Sequence, residues 1–164
     1  MNPIIRSHGA SRTCGEAFAS KNAMMFTDSQ IAAYTEDLYR RRHTGIRVRD
    51  ARPNSIDWQP DPNDCHNNVT VFCRQNPGFT PVRGWLYFDF RGQEVFVKFL
   101  AHSVVKTPEG NLVDITPSKR RQAYQYLFIE ALLTYDEFVE MGRHTKDGNL
   151  MYYWRRNSAE QRRL

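Results

Sequence analysis

The sequence predicts an α+β fold in which a short cysteine-bearing helix packs on an antiparallel β-meander. One observation is that apolar residues recur every three or four positions in two segments before residue 76, as on one face of a helix. The second is that three segments between residues 82 and 116 are rich in aromatic and β-branched residues and are separated by short polar turns. Helices followed by a group of strands are typical of the α+β class.

The chain length and composition indicate a single globular domain. A chain of 164 residues has room for one modest core, and 40% hydrophobic with 25% charged residues is typical of folded proteins. We assign residues 27–164 to this domain. Residues 1–26, rich in serine and arginine, are expected to form a mobile or covering N-terminal arm.

The net charge of +5 comes from short basic clusters, which raise the question of an acidic partner. The clusters are Arg40–Arg42, Lys119–Arg121, Arg155–Arg156 and Arg162–Arg163. No nucleic-acid-binding motif accompanies them, so nucleic acid is possible but not favoured, and a solvated face is the preferred interpretation.

Three cysteines are too few for a disulfide framework, and no apolar run has the length of a secretory signal core or a membrane span. We therefore expect a cytoplasmic protein without membrane contact. The sequence predicts no cofactor, and it does not indicate an oligomeric state.

The first predicted helix begins at a cap, Thr27 or Ser29, and runs to about Arg42, with Gly45 as its stop. Its helically spaced positions are Ile31, Tyr34, Leu38 and Arg42. The proline-rich segment 47–63 is typical of an ordered loop, and a short strand at 45–48 is expected where it begins.

The second predicted helix runs from Cys65 to about Asn76, capped by Asn63 or Asp64 and ended by Pro77-Gly78. Four positions fall on one face of it: Cys65, Val69, Phe72 and Cys73. Cys65 is therefore expected to point inward from the first turn.

The remaining elements follow in order. The meander comprises Val82–Phe90, Glu94–Lys106 and Leu112–Thr116. Tyr124–Leu133 is either a strand or a buried helix, which the hydrophobic period does not decide. Thr134–Met141 is predicted to be a helix capped by Thr134 and closed by Gly142, and Asn149–Arg156 to be a last strand.

Cys65 has the position that a catalytic thiol needs. The first turn of a helix offers unpaired N–H groups and a positive dipole end, and both favour the thiolate. The N–H of Cys65 could also donate to an oxyanion.

His102 and Asp114 are the predicted partners of this thiol. His102 interrupts an otherwise apolar strand, and a hairpin turning about Pro108 would set Asp114 directly opposite it on the same face. A carboxylate there would orient the imidazole. His66 competes with His102 as the base, but its position next to Cys65 turns it about 100° away around the helix, which favours capping or substrate contact.

Two other interpretations remain open. A zinc site could use Cys65, His66, Cys73 and His102, although this spacing is a poor template for tetrahedral coordination, and we expect no metal. The chain could also be a basic binding module for nucleic acid or an acidic protein, in which the triad is structural.

Beyond these residues, the chain resembles the papain-like and transglutaminase-like superfamily of cysteine hydrolases, in which a helix-borne Cys precedes a strand-borne His and an Asp or Asn. The Asp64-Cys65 pair looks like that of bacterial cell-wall amidases of the papain-like clan. The pattern Cys-His-x-Asn, then His, then Leu-Val-Asp-Ile-Thr-Pro resembles a group of small bacterial proteins. The pattern begins at Cys65, continues at Gly84-Trp85 and His102 and ends at 112–117. With its flanking residues, the resemblance covers about residues 58–118.

This resemblance implies a papain-like or transglutaminase-like core and a thiol hydrolase or acyltransferase acting on amide, isopeptide or thioester bonds, with a protein or peptide substrate. Peptidase, amidase, deamidase and transglutaminase chemistry are not distinguished. Gln59, six residues before the Cys as in papain-like enzymes, is implied as the second oxyanion donor, with Trp58 and Asn63 as rivals. His66, Asn68 and Trp85 are implied to bind substrate.

Overall fold

A computed structural model describes residues 26–51, 58–90, 96–117, 126–145 and 147–153. The helices are α1 (Asp28–Arg40), α2 (Cys65–Gln75) and α3 (Tyr135–Arg143), with a short 3-10 turn at Arg42–Thr44. The strands are β1 (Ile46–Arg47), β2 (Arg49–Asp50), β3 (Thr80–Asp89), β4 (Phe96–Lys106), β5 (Leu112–Asp114), β6 (Leu127–Glu130) and β7 (Asn149–Tyr153). The predicted α+β class is confirmed.

The strands form one sheet in the order β1-β6-β3-β4-β5-β2, and β7 also pairs with β4. All pairings are antiparallel except that of β2 with β5. Strands β3, β4 and β5 follow one another as the predicted meander.

The two edges of this sheet are joined by a single residue. β1 lies at one edge and β2 at the other, yet only Val48 separates them in sequence. The sheet must therefore curl until its edges nearly meet. The side chain of Val48 is buried with Leu86, Val104 and Phe128, so its cluster lies on the concave face.

The opposite face of the sheet is covered by helices. Leu38 of α1 and Phe138 of α3 pack in one cluster with Trp85 and Phe99 of the sheet. A smaller cluster joins Val69 of α2 to the sheet; its other fully buried members are Val105 and Ile115. Helix α2, which carries Cys65, is thus packed directly on the meander.

Strand β4 has a different neighbour along each half of one edge. β7 pairs with Phe96 to Leu100, whereas β5 pairs only with Val105 and Lys106. His102 lies between these two stretches. The split places an opening in the sheet beside this residue.

The ends of the helices differ in part from the predictions. Thr27 and Thr134 cap α1 and α3 through capping boxes, as their sequences indicate. The prediction that Gly142 ends the third helix is wrong, because α3 continues to Arg143 and His144 is its C-cap. The predicted first helix divides into α1 and the 3-10 turn, which ends at Gly45.

The segment that the hydrophobic period left undecided contains strand β6. It lies between β1 and β3, and both Phe128 and Ile129 are buried although they point to opposite faces. A strand covered on both faces has no alternation of apolar and polar residues, so its period could not distinguish it from a buried helix. The ends of the predicted segments at 124–125 and 154–156, and the arm up to residue 25, lie outside the described residues.

Candidate active site

Cys65 is the first residue of α2 and is 8% exposed. Asp64 occupies the N-cap position, but its side chain makes no capping hydrogen bond, in contrast to the caps of α1 and α3. The predicted N-cap position is therefore confirmed at Asp64, but the cap acts without a side-chain hydrogen bond. Among the described residues no side chain caps the first-turn N–H groups of α2, so these groups are available beside the thiol.

His102 and Asp114 form a buried pair, with His102 Nε2 donating to Asp114 Oδ2 at 2.7 Å. Their side chains are on the same face of the sheet, as predicted, but they are not directly opposed. Val105 pairs with Val113, a register that sets Asp114 opposite Val104 and leaves His102 as its diagonal neighbour.

This correction has a simple cause. Lys106 pairs with Leu112, so the hairpin turns about residue 109 rather than Pro108. Moving the centre of a hairpin by one residue changes its register by two, and two is a full period of the strand. The shift therefore leaves both side chains on the same face.

The carboxylate of Asp114 is held in place at both oxygens. Oδ1 accepts from the backbone N–H of Thr116 at 2.9 Å, and Oδ2 accepts from His102. The backbone carbonyl of Asp114 accepts from Ala51 N at 2.8 Å, which ties it to the end of β2. With Nε2 committed to Asp114, Nδ1 is the nitrogen of His102 that remains for the thiol.

The electrostatics favour an ion pair between Cys65 and His102. Burial on its own would raise the pKa of the Cys65 thiol, but hydrogen bonding with His102 is the leading interaction that lowers it, to about 6. Burial would lower the pKa of His102, but the bonds and charges of Asp114 and Cys65 raise it to about 10. At neutral pH the pair is therefore thiolate and imidazolium.

A second polar group, which includes His66, contacts the thiol. His66 Nδ1 lies 3.7 Å from Cys65 Sγ and 2.5 Å from Ser103 Oγ. Arg83 Nη1 donates to Ser103 Oγ at 2.6 Å and to the carbonyl of His66 at 3.2 Å. Its Nη2 donates to Thr70 Oγ1 at 2.8 Å.

Ser103 and Arg83 were missed by the sequence analysis. The sequence did contain a signal for them. Gly84 pairs with His102 across β3 and β4, and the neighbouring pair in the same register is Arg83 with Ser103. Side chains directly opposed on neighbouring strands share a face, so correct pairing of the two strands would have brought these residues together.

The residues expected to bind substrate lie in different surroundings. Trp85 is fully buried in the core, where its Nε1–H donates to Tyr34 Oη at 2.9 Å, so it is not a substrate-contacting residue. Asn68 is 1% exposed and bonds both backbone groups of Asp61, which ties the preceding loop to α2. Trp58 packs against Phe72, whereas Gln59 and His66 are exposed.

The metal and charge alternatives have less support. Within the described ranges, no group of three or more His, Cys, Asp or Glu side chains is arranged to hold a metal ion. Arg40 and Arg41 form ion pairs with Glu36 and Asp37 one turn earlier in α1. The other basic clusters lie outside the described residues.

None of the three helices in the described ranges combines the length and the apolar character needed to cross a bilayer. Comparisons with protein-family models, with curated proteins and with solved structures find no match for this chain.

Proposed function

We propose that this chain is a thiol-dependent hydrolase or acyltransferase acting on amide, isopeptide or thioester bonds, with Cys65 as nucleophile. The observation that carries the proposal is a buried, hydrogen-bonded His102–Asp114 pair next to a thiol whose pKa is lowered to about 6. Perturbed pKa values of a thiol and an imidazole in contact are typical of catalytic sites. A protein or peptide is the proposed substrate.

In the proposed reaction, the Cys65 thiolate attacks the carbonyl carbon of the substrate, and the carbonyl π electrons move to its oxygen. The N–H groups at the start of α2 stabilise the resulting oxyanion. When the tetrahedral intermediate collapses, the bond to the leaving amine or thiol breaks, and the His102 imidazolium donates a proton to that group. The product is a thioester on Cys65.

The thioester is then resolved by a second nucleophile. Neutral His102 takes a proton from water or from an amine, which attacks the thioester carbon, and the thiolate leaves. Asp114 stabilises the imidazolium and holds Nδ1 toward the sulfur throughout. Water as the acceptor gives hydrolysis, and an amine gives acyl transfer.

The proposal includes a papain-like or transglutaminase-like origin for the domain. Its support is the chain order, in which a helix-borne Cys precedes a His on a central strand and an Asp on the next strand of a curled antiparallel sheet. A cytoplasmic location belongs to the same proposal.

Substitution of the triad tests this function. We expect Cys65→Ala and His102→Ala to reduce acyl transfer to the same floor, and the double variant to be no worse, because residues of a triad act as a unit. The measurement is hydrolysis and amine transfer on a panel of aryl esters, thioesters and glutamine peptides. Cys73→Ala is the matched control and should retain full activity, whereas additive losses at Cys65 and His102 would contradict the triad.

A further inference from the structure

The hydrogen bonds around Ser103 determine which nitrogen of His66 carries the proton. An arginine side chain only donates, so Ser103 Oγ accepts from Arg83 at 2.6 Å. Ser103 is fully buried and has one hydroxyl proton. Among the described residues, the only acceptor within hydrogen-bond distance of this hydroxyl is His66 Nδ1, at 2.5 Å.

The other tautomer of His66 would leave a buried donor without a partner. If Nδ1 carried the proton, it would donate to Ser103 Oγ alongside Arg83, and the hydroxyl proton of Ser103 would have no acceptor. An unsatisfied buried donor costs about 1–3 kcal/mol. Nδ1 is 2.5 Å from Ser103 Oγ and 3.7 Å from Cys65 Sγ, so the shorter contact decides its role as acceptor and the network favours a proton on Nε2.

This tautomer places a free donor, Nε2–H, on the ring of His66, whose Nδ1 contacts the thiol. The ring is held edge-on by Phe138, with the ring centroids 5.5 Å apart, and Nδ1 lies 3.7 Å from Cys65 Sγ. His66 is exposed, and within the described part of the chain Nε2 has no partner. An oriented N–H next to a nucleophile is the group that a developing oxyanion requires.

We propose that His66 is a catalytic residue of the proposed acyl transfer, donating from Nε2–H to the carbonyl oxygen of the substrate as it becomes an oxyanion. This inference rests on the proposed function. The oxyanion would then have two donors, the backbone N–H of Cys65 and Nε2–H of His66. Ser103 and Arg83 are positioning residues, which set the tautomer and hold the ring. His66 takes this role in preference to Gln59.

Two reactions of the same thiol separate this role from a role in forming the thiolate. Alkylation by iodoacetamide displaces iodide and forms no oxyanion, whereas acylation by p-nitrophenyl acetate passes through one. Both are measured well above the pKa of Cys65, so that the thiolate is fully formed in every variant. Only a donor to the oxyanion affects the second reaction without affecting the first.

We expect His66→Phe to reduce acylation about 10²–10³-fold, as loss of an oxyanion donor does. The rate of alkylation should change by no more than about twofold, because no transition-state contact is lost in that reaction. His66→Gln retains an N–H donor and should recover part of the acylation rate, and His43→Phe on the 3-10 turn controls for loss of a histidine elsewhere. Equal losses in both reactions, or a larger loss of acylation in Gln59→Ala, would overturn the proposal.

Nitrogen-15 NMR of the histidine rings tests the tautomer without substrate. We expect the Nε2–H form for His66 in the wild type and a mixture of tautomers in Ser103→Ala, which removes the hydroxyl donor. An Nδ1–H form in the wild type would overturn the inference whatever the activity. A wild type that alkylates at Cys65 but is never acylated would overturn the proposed function, and the NMR result would still decide the tautomer.

Discussion

The two described cysteines share one helix and differ in their surroundings. Cys65 lies at the start of α2 between two histidines, and its pKa is lowered to about 6. Cys73 lies two turns later, and burial raises its pKa above the ordinary value of a thiol. Reactivity toward an electrophile depends on the thiolate fraction, so the two positions along the helix give the two thiols different expected reactivity.

We therefore predict a pH profile for iodoacetamide that distinguishes the two thiols. The rate at Cys65 should rise with a midpoint near pH 6, because a lowered pKa leaves the thiolate present above that value, and should then stay level until His102 loses its proton near pH 10. Cys73 should react only at alkaline pH. Mass spectrometry of the labelled peptides measures both, and faster labelling of Cys73 at neutral pH would rule out Cys65 as the nucleophile.

Asp114 uses both carboxylate oxygens as acceptors, one for His102 and one for the N–H of Thr116. An asparagine has one acceptor and one donor, so it can satisfy either His102 or Thr116 in the native tautomer but not both. The negative charge that raises the pKa of His102 is lost in either orientation. The role of this residue is thus more demanding than that of a single hydrogen-bond partner.

We predict that Asp114→Asn and Asp114→Ala both shift the alkylation midpoint of Cys65 above pH 6 and reduce acyl transfer on the order of 10²-fold, since the imidazolium is destabilised. Asp114→Ala should also lower the free energy of unfolding by about 1–3 kcal/mol more than Asp114→Asn, because it leaves the buried groups without any partner. Asp50→Asn, an exposed neighbour on β2, is the control. An unchanged midpoint in both variants would remove Asp114 from the triad.

At the scale of the elements, strand β3 fits closely against β6 because it has a glycine at position 84. Gly84 pairs with His102 on one side and with Glu130 on the other. A Cβ atom at this position would lie 2.4 Å from the carbonyl oxygen of Ile129 and 2.5 Å from the ring of Phe128. The close approach of β6 therefore requires the absence of a side chain at position 84, opposite His102 of β4.

We predict that Gly84→Ala lowers the free energy of unfolding by about 1–3 kcal/mol through overpacking. The matched control is Gly142→Ala in α3, where the added Cβ meets no atom within 4 Å. That change should stabilise the protein by about 0.5–1 kcal/mol, as alanine does in a helix interior. Urea denaturation measures both, and equal effects would mean that the contacts with Ile129 and Phe128 are not what selects glycine.

At the scale of the whole molecule, the site depends on the closure of the sheet. Val48 joins the two edges, and the next strand, β2, pairs Asp50 with Asp114. Ala51 then donates to the carbonyl of Asp114. The segment that supports Asp114 thus comes from the opposite edge of the curled sheet.

We predict that Val48→Ala lowers the free energy of unfolding by about 1–3 kcal/mol, because it removes buried apolar groups at the point of closure. Ile46→Ala in the adjoining strand should cost less, since that side chain is 47% exposed. Chemical denaturation of both variants measures the difference. A larger loss at Ile46 would contradict the role of Val48 in closing the sheet.

The elements could be predicted from the sequence to the extent that their signals are local. Caps, turn residues and helical or strand periods act within a few residues, which is why α1, α2, α3 and the meander were found close to their observed bounds. Whether the β4–β5 hairpin turns about a residue or about a peptide bond is also a local property. It was enough to place His102 and Asp114 on one face even though the register was wrong by two residues.

The sequence by itself therefore determined the α+β class, the helix position of Cys65 and the face shared by His102 and Asp114. Tertiary structure alone decided that β6 is a strand, that Trp85 is a core residue, that the sheet curls across Val48, and that Ser103 and Arg83 hold His66. These features depend on pairings between segments far apart in the chain. A local pattern cannot specify them, because the same period is satisfied by any partner that buries the same face.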